Sequence, residues 1–104
     1  MPKEQLKTLT EQMYYVLLAL KHERCGAEIT QYVSVRTKGR IRLGPGTLYT
    51  MLGKFEEERF IEKTKSEGRR QWYRINEKGM QMVLQEIQRM RQMIDDGIEI
   101  IDRE

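Results

Sequence analysis

The chain's tightest local constraint lies in residues 39–52, which read GRIRLGPGTLYTML. Gly44-Pro45-Gly46 interrupts the chain, yet Leu48, Met51, Leu52 and Phe55 follow at spacings of three and four. Proline suits the first position of a helix, where its missing N–H would have had no intrahelical partner. The turn therefore predicts the start of a helix that runs to about Glu57 or Glu58, buries one apolar stripe and leaves the other side free. Thr47, Tyr49, Thr50 and Lys54 lie on or beside that free side.

The remaining elements follow from hydrophobic period and punctuation. Thr8-Leu9-Thr10-Glu11 has capping-box spacing ahead of a first helix carrying Met13, Val16, Leu17 and Leu20, which reaches about Lys21. Arg24-Cys25-Gly26 reads as a break. A second helix spans about Cys25 to Val35 and ends before Gly39, a residue suited to positive φ. Ile41 and Leu43 alternate with Arg40 and Arg42, a very short strand at most. Residues 60–65 and 71–75 read as two strands joined by a turn containing Gly68, and so form a β-hairpin. Asn76 is a good N-cap for a long last helix. Along it Met80, Val83, Ile87, Met90, Ile94 and Ile101 recur near heptad spacing, flanked by Leu84 and Ile98. Gly97 falls on that seam and weakens it.

One domain is the expectation for 104 residues, and a chain so short gains from burial against a partner. Charge is divided unevenly. Residues 1–75 hold 15 Lys and Arg against 9 Asp and Glu, whereas residues 76–104 hold 4 against 7. This asymmetry fits a polyanion-binding module followed by an association helix. A lone cysteine, Cys25, excludes an internal disulfide framework and reads as a partly buried structural thiol. His22 has no second histidine with which to hold a metal. The longest apolar run, residues 16–20, is far too short for a bilayer, so a cytoplasmic chain without membrane contact is expected. No nucleophile motif, phosphate-binding loop or metal-ligand spacing is present, and Glu56, Glu57 and Glu58 are consecutive rather than paired on one helix face. Neither an enzyme nor a cofactor is expected.

Three helices followed by a hairpin form the winged helix-turn-helix order, in which the third helix fits the major groove. Glycines beside Pro45 let backbone approach a phosphate, and the free N–H groups of the first turn face the anion. Pro45, Gly46, Thr47, Tyr49, Thr50 and Lys54 are the DNA candidates on the helix. Lys63, Lys65, Arg69 and Arg70 are those on the wing, and Arg40 and Arg42 flank them. Each has a blander reading: Tyr49 can pack on the second helix, and Arg40 and Arg42 can be plain solvated charge. Trp72 reads first as core or interface packing.

The run Leu43-Gly44-Pro45-Gly46-Thr47-Leu48-Tyr49 resembles the signature of PadR-type transcriptional regulators. So do residues 56–62, residues 68–79 and the first-helix run Val16-Leu17-Leu18-Ala19-Leu20. The similarity covers nearly the whole chain, and its length matches the short subfamily with one C-terminal helix. It implies a homodimeric, ligand-responsive repressor that reads an inverted repeat in double-stranded DNA. Thr47, Tyr49, Arg69 and Arg70 map onto the family's DNA-contacting positions. Any small-molecule effector would sit at the dimer interface, and an aromatic one would use Tyr14 or Tyr15. Thr50 stands where the family usually has proline, and Gly53 within that helix is a second departure.

The expected architecture is thus mainly α (α+β). A winged helix-turn-helix DNA-binding domain occupies residues 1–75, and a C-terminal dimerisation helix occupies 76–104 with Met80, Val83, Leu84, Ile87, Met90, Ile94, Ile98 and Ile101 at the seam. A winged-helix protein–protein adaptor is the alternative, since fold alone does not fix function.

Overall fold

The computed structural model describes residues 6–104. Its elements are α1 (Glu11–Ala19), β1 (Arg24–Cys25), α2 (Gly26–Arg36), α3 (Pro45–Glu57), β2 (Ile61–Glu67), β3 (Arg70–Ile75) and α4 (Glu77–Arg103). The strands form an antiparallel sheet in the order β1-β3-β2. Three helices, a hairpin and a long terminal helix give the mixed α+β winged-helix architecture expected from the sequence.

Several local signals act as predicted. Pro45 is the first residue of α3, with Gly44 extended at the N-cap. Asn76 caps α4, its Oδ1 accepting the Gly79 N–H at 2.9 Å. Gly39 and Gly68 both adopt positive φ, 78° and 62°. Gly68 and Arg69 make a two-residue connection between β2 and β3, a tight hairpin that needs such a residue.

Other expectations are corrected. Helix α1 is capped by Thr10 rather than Thr8, its Oγ1 accepting the Met13 N–H at 3.1 Å, and it ends at Ala19. The break at Arg24-Cys25 is a strand, because β3 supplies backbone partners to this dipeptide. No strand forms at Ile41 and Leu43. Both are buried and peg the α2–α3 connection to the core without a neighbouring strand edge. At the start of α2 the Glu28 carboxylate accepts the Cys25 N–H at 2.9 Å. That bond, with smaller contributions from the Cys25 thiol, Trp72 and Arg24, holds the Glu28 carboxyl below the usual carboxylate range.

The core gathers Val16, Leu17 and Leu20 of α1, Ile29 and Val33 of α2 and the α3 stripe Leu48, Met51, Leu52 and Phe55. Ile61, Tyr73 and Ile75 of the sheet close it, and Met82 and Val83 of α4 complete it. The first turns of α4 therefore belong to the winged domain's own core. Val83 is 1% exposed and lies in that core rather than on a free seam. Glu86 is a buried charge there at 2% exposure. Its Oε1 accepts the Leu9 N–H at 2.7 Å, and Oε2 takes Arg89 Nε at 2.7 Å and Nη2 at 2.6 Å. A buried carboxylate needs this degree of pairing to be tolerated. The clasp ties the segment before α1 to α4.

Helix α4 crosses the start of β2 at Gly79. A Cβ there would press inside contact distance of the Phe60 carbonyl oxygen and lie 2.7 Å from Ile75 Cγ1. Neither backbone nor a buried isoleucine yields cheaply. Gly79→Ala is expected to destabilise the fold by about 2–3 kcal/mol, measurable as a lower urea midpoint with an unchanged slope.

Candidate nucleic-acid interface

The side of α3 opposite its buried stripe is built from small and polar residues. Gly46, Thr47, Thr50 and Gly53 are all exposed, and Tyr49 is 59% exposed at the margin. Nothing lies within 4 Å of a Cβ placed on Gly44, Gly46 or Gly53. The helix thus presents nearly bare backbone outward along Gly46 and Gly53, with Thr50 between them. Thr50 in place of a proline keeps the helix regular over all 13 residues.

Tyr49 packs on the second helix, the blander of its two readings, and stays largely exposed. Its hydroxyl lies over Gly26, where a Cβ would come within 2.9 Å of it, so the ring is fixed beside the start of α2. The rest of the ring faces solvent. Tyr49, Pro45, Leu43 and Leu48 line one wall of a groove of about 520 Å³. Ala27, Thr30, Gln31, Ser34 and Val35 of α2 line the other.

The basic candidates are not equivalent. Lys54 pairs with Glu58 at 3.6 Å along the helix, and Lys63 reaches Glu56 at 3.7 Å. Arg40 is held by α1: it forms an ion pair with Glu11 and donates to the Tyr15 hydroxyl at 3.1 Å. The Tyr15 bond, then Glu11, raises its pKa above the ordinary arginine value. Its guanidinium is thereby drawn toward α1. Arg42 lies against Gly39, with Nη2 3.3 Å from the position of a Cβ there. Lys65, Arg69 and Arg70 are exposed at the wing. Trp72 does not enter the core. It is half-buried on β3, with Lys65 Nζ 4.4 Å and Arg70 Cζ 6.0 Å from its ring centroid. Tyr73, its neighbour, turns inward, and burial, helped by Glu56 and Tyr49, pushes its phenol pKa up.

Along α4 the predicted seam divides. Met80 and Ile87 pack partly against the core, and Met90 is half-buried. Leu84, Ile94, Ile98 and Ile101 are 52–81% exposed, as are Met93 and Ile100 beside them. Among the described residues no group of His, Cys, Asp and Glu could hold a metal ion, and no helix is long and apolar enough to cross a membrane.

The sequence profile of the Transcriptional regulator PadR-like family matches residues 16–85, from the middle of α1 through the wing and into α4. The chain belongs to the PadR-like family. The fold agrees with solved structures at low identity. A transcriptional regulator from Clostridium thermocellum superposes with a TM-score of 0.74 at 20% identity, covering 86% of this chain and 90% of that one. RosR from H. salinarum gives 0.69 at 19%, covering 92% and 94%. A PadR family transcription regulator from Clostridium difficile gives 0.68 at 21%, covering 86% and 96%. No curated protein matches significantly by sequence. This PadR-like chain is therefore a transcriptional-regulator fold in which the helix opened by Gly44-Pro45 and the basic hairpin lie next to each other in sequence and in space.

Gly53 is the residue sequence reasoning leaves without a structural need: its φ is not positive and no neighbour crowds it. Gly53→Ala is expected to raise the stability of the free protein by about 1 kcal/mol. Chemical denaturation checks this. Weaker duplex binding by the same variant would show that α3 is seated closely enough for a methyl group to matter.

Proposed function

We propose that this PadR-like protein is a homodimeric transcriptional repressor that binds an inverted-repeat operator in double-stranded DNA. The supporting observation is the free side of α3, which offers Thr47, Tyr49 and Thr50 over bare backbone, with an exposed basic wing alongside. A helix of this profile enters a major groove without steric conflict, and short hydroxyl groups reach phosphates and base edges. Arg69 and Arg70 at the hairpin supply sequence-independent attraction to phosphates. Lys65 adds to it, and Arg42, Lys54 and Lys63 lie further back. Arg40, held by Glu11 and Tyr15, contributes least. The protein would act in the cytoplasm, and its chemistry is binding rather than catalysis.

Dimerisation rests on the apolar side of α4 that the core leaves uncovered. Leu84, Ile94, Ile98 and Ile101, with Met90 and Ile87 behind them, leave an apolar strip larger than a soluble monomer ordinarily exposes. Two copies packed through this strip would set the two α3 helices at a fixed separation and so read two half-sites. A hollow of about 290 Å³ lies between α1 and α4, lined by Tyr14, Tyr15, Glu86, Arg89, Met90 and Met93 among others. An effector lodged there would bear on both the first helix and the seam, shift the spacing of the recognition helices and lower affinity.

Two experiments test these claims. Replacing both wing arginines, Arg69→Ala with Arg70→Ala, should weaken duplex binding and reduce the slope of log K against log salt by about two per protomer, about four for the dimer. Thr47→Ala and Tyr49→Phe should each cost about 1 kcal/mol of binding if their hydroxyls bond DNA. Unchanged affinity and slope in the double variant would remove the wing from the interface. Sedimentation at micromolar concentration should show a dimer that Ile94→Lys dissociates; a monomeric wild-type protein would contradict the α4 seam.

A further inference from the structure

The wing contains an irregularity that decides which of its cations are free. Strand β2 pairs with β3 as Ile61↔Ile75, Glu62↔Arg74 and Lys63↔Tyr73, then shifts register so that Lys65 faces Trp72. Thr64 is the extra residue of a β-bulge. Directly opposed residues share a sheet face, and a one-residue slip sends a side chain to the other face. In an unbroken register Lys65 would oppose Gln71 and lie on the inner face with Lys63 and Tyr73. The bulge instead carries Lys65 to the outer face, with Trp72. Arg70, two residues before Trp72 on β3, shares that face.

The consequences for the two lysines differ. Lys63, on the Tyr73 face, lies 3.7 Å from Glu56 of α3 and is partly neutralised. Lys65 is instead held by the indole, 4.4 Å from the ring centroid, with the Arg70 guanidinium 6.0 Å from the same centroid. Glu67 lies on this part of the face, opposite Arg70, and Glu28 of α2 approaches the indole from the β1 side. Aromatic rings attract cations through their quadrupole without cancelling the charge. An indole close to two cations therefore restrains them and leaves both charges available to an anion. Long flexible side chains otherwise lose rotamer freedom when they bind.

We propose that Trp72 is a positioning residue for the wing: it holds Lys65 and Arg70 together on the outer face of the hairpin as a preformed pair of cations for the phosphodiester backbone. The inference rests on the reading that this chain binds DNA and identifies which face of the wing the backbone meets. It separates Lys65 and Arg70, through which Trp72 acts, from Lys63, which it does not touch.

Trp72 is the sole tryptophan, so intrinsic emission reports on this site alone. The test uses the full chain and a fluorescein-labelled duplex of mixed sequence at low salt. Saturating duplex should change Trp72 emission in the wild-type protein. Trp72→Leu should weaken binding about tenfold, whereas Trp72→Phe, which keeps a ring face, should stay within about twofold of wild type. In a Lys65→Ala, Arg70→Ala background, Trp72→Leu should cost nothing further, because its effect passes through those two cations. An equal loss in both backgrounds would show a merely structural role and overturn the proposal. So would a Phe variant as weak as the Leu variant when both keep the wild-type melting temperature. Should the Leu variant fail to fold, unchanged Trp72 emission at saturation still overturns it. Wild-type protein that ignores the duplex defeats the DNA reading itself, and this inference with it; duplex binding with additive variants defeats the inference alone.

Discussion

Phe60 is the junction on which the arrangement of recognition helix, wing and terminal helix depends. Its N–H donates to the Phe55 carbonyl at 2.9 Å, closing the end of α3, and its carbonyl accepts the Asn76 N–H at 3.0 Å at the start of α4. The Asn76 side chain adds a bond from Nδ2 to the Arg59 carbonyl at 2.8 Å. The rings of Phe55 and Phe60 lie 6.4 Å apart in a tilted contact, and Phe55 is fully buried. Arg59 takes a left-handed φ of 61° to turn the chain between them. Gly79 then lets α4 rest on the Phe60 carbonyl. Three elements that must hold fixed relative angles thus share one residue's backbone.

From that junction the exposed surfaces follow. With Leu48, Met51, Leu52 and Phe55 buried, α3 has no rotational freedom, and its small-residue side must point outward. The hairpin begins at the same junction, so the wing is fixed relative to α3. On the other side α4 leaves the core after Ile87, and its apolar residues continue beyond the domain that buried the first turns. One helix therefore serves two purposes along its length: its first turns complete a core, and its last turns offer an unpartnered strip. The Glu86–Arg89–Leu9 clasp lies where these two parts meet and couples the segment before α1 to both.

What was legible in the sequence is what short-range chemistry decides. Gly44-Pro45 announced the start of α3 because proline's missing donor has only one comfortable place in a helix. Asn76 and Gly68 signalled their cap and turn for equally local reasons. Features that depend on a distant partner were not legible. Arg24-Cys25 becomes a strand only because β3 lies beside it. Lys65 reaches the Trp72 face only because Thr64 shifts a register, and no local property of either residue announces that. Val83 fits a heptad seam by spacing, yet the same spacing serves a core contact. Burial of Glu86 could be suspected only from Arg89 three residues on, and the Leu9 N–H that completes its bonding is 77 positions away in the chain. Within the candidate interface, the polar residues of α3 were readable by helical period. So was the Lys54–Glu58 pair at i,i+4, but the ion pairs that occupy Arg40 and Lys63 were not, since Glu11 and Glu56 reach them only through the fold.

The most direct test of a dimeric operator-binding protein is selection of bound sequences from a random duplex pool by the purified chain at two salt concentrations. The account predicts enrichment of an inverted repeat whose half-sites lie about one helical turn apart, with recovery falling steeply at the higher salt. Binding without enrichment, or no binding at either salt, would contradict it.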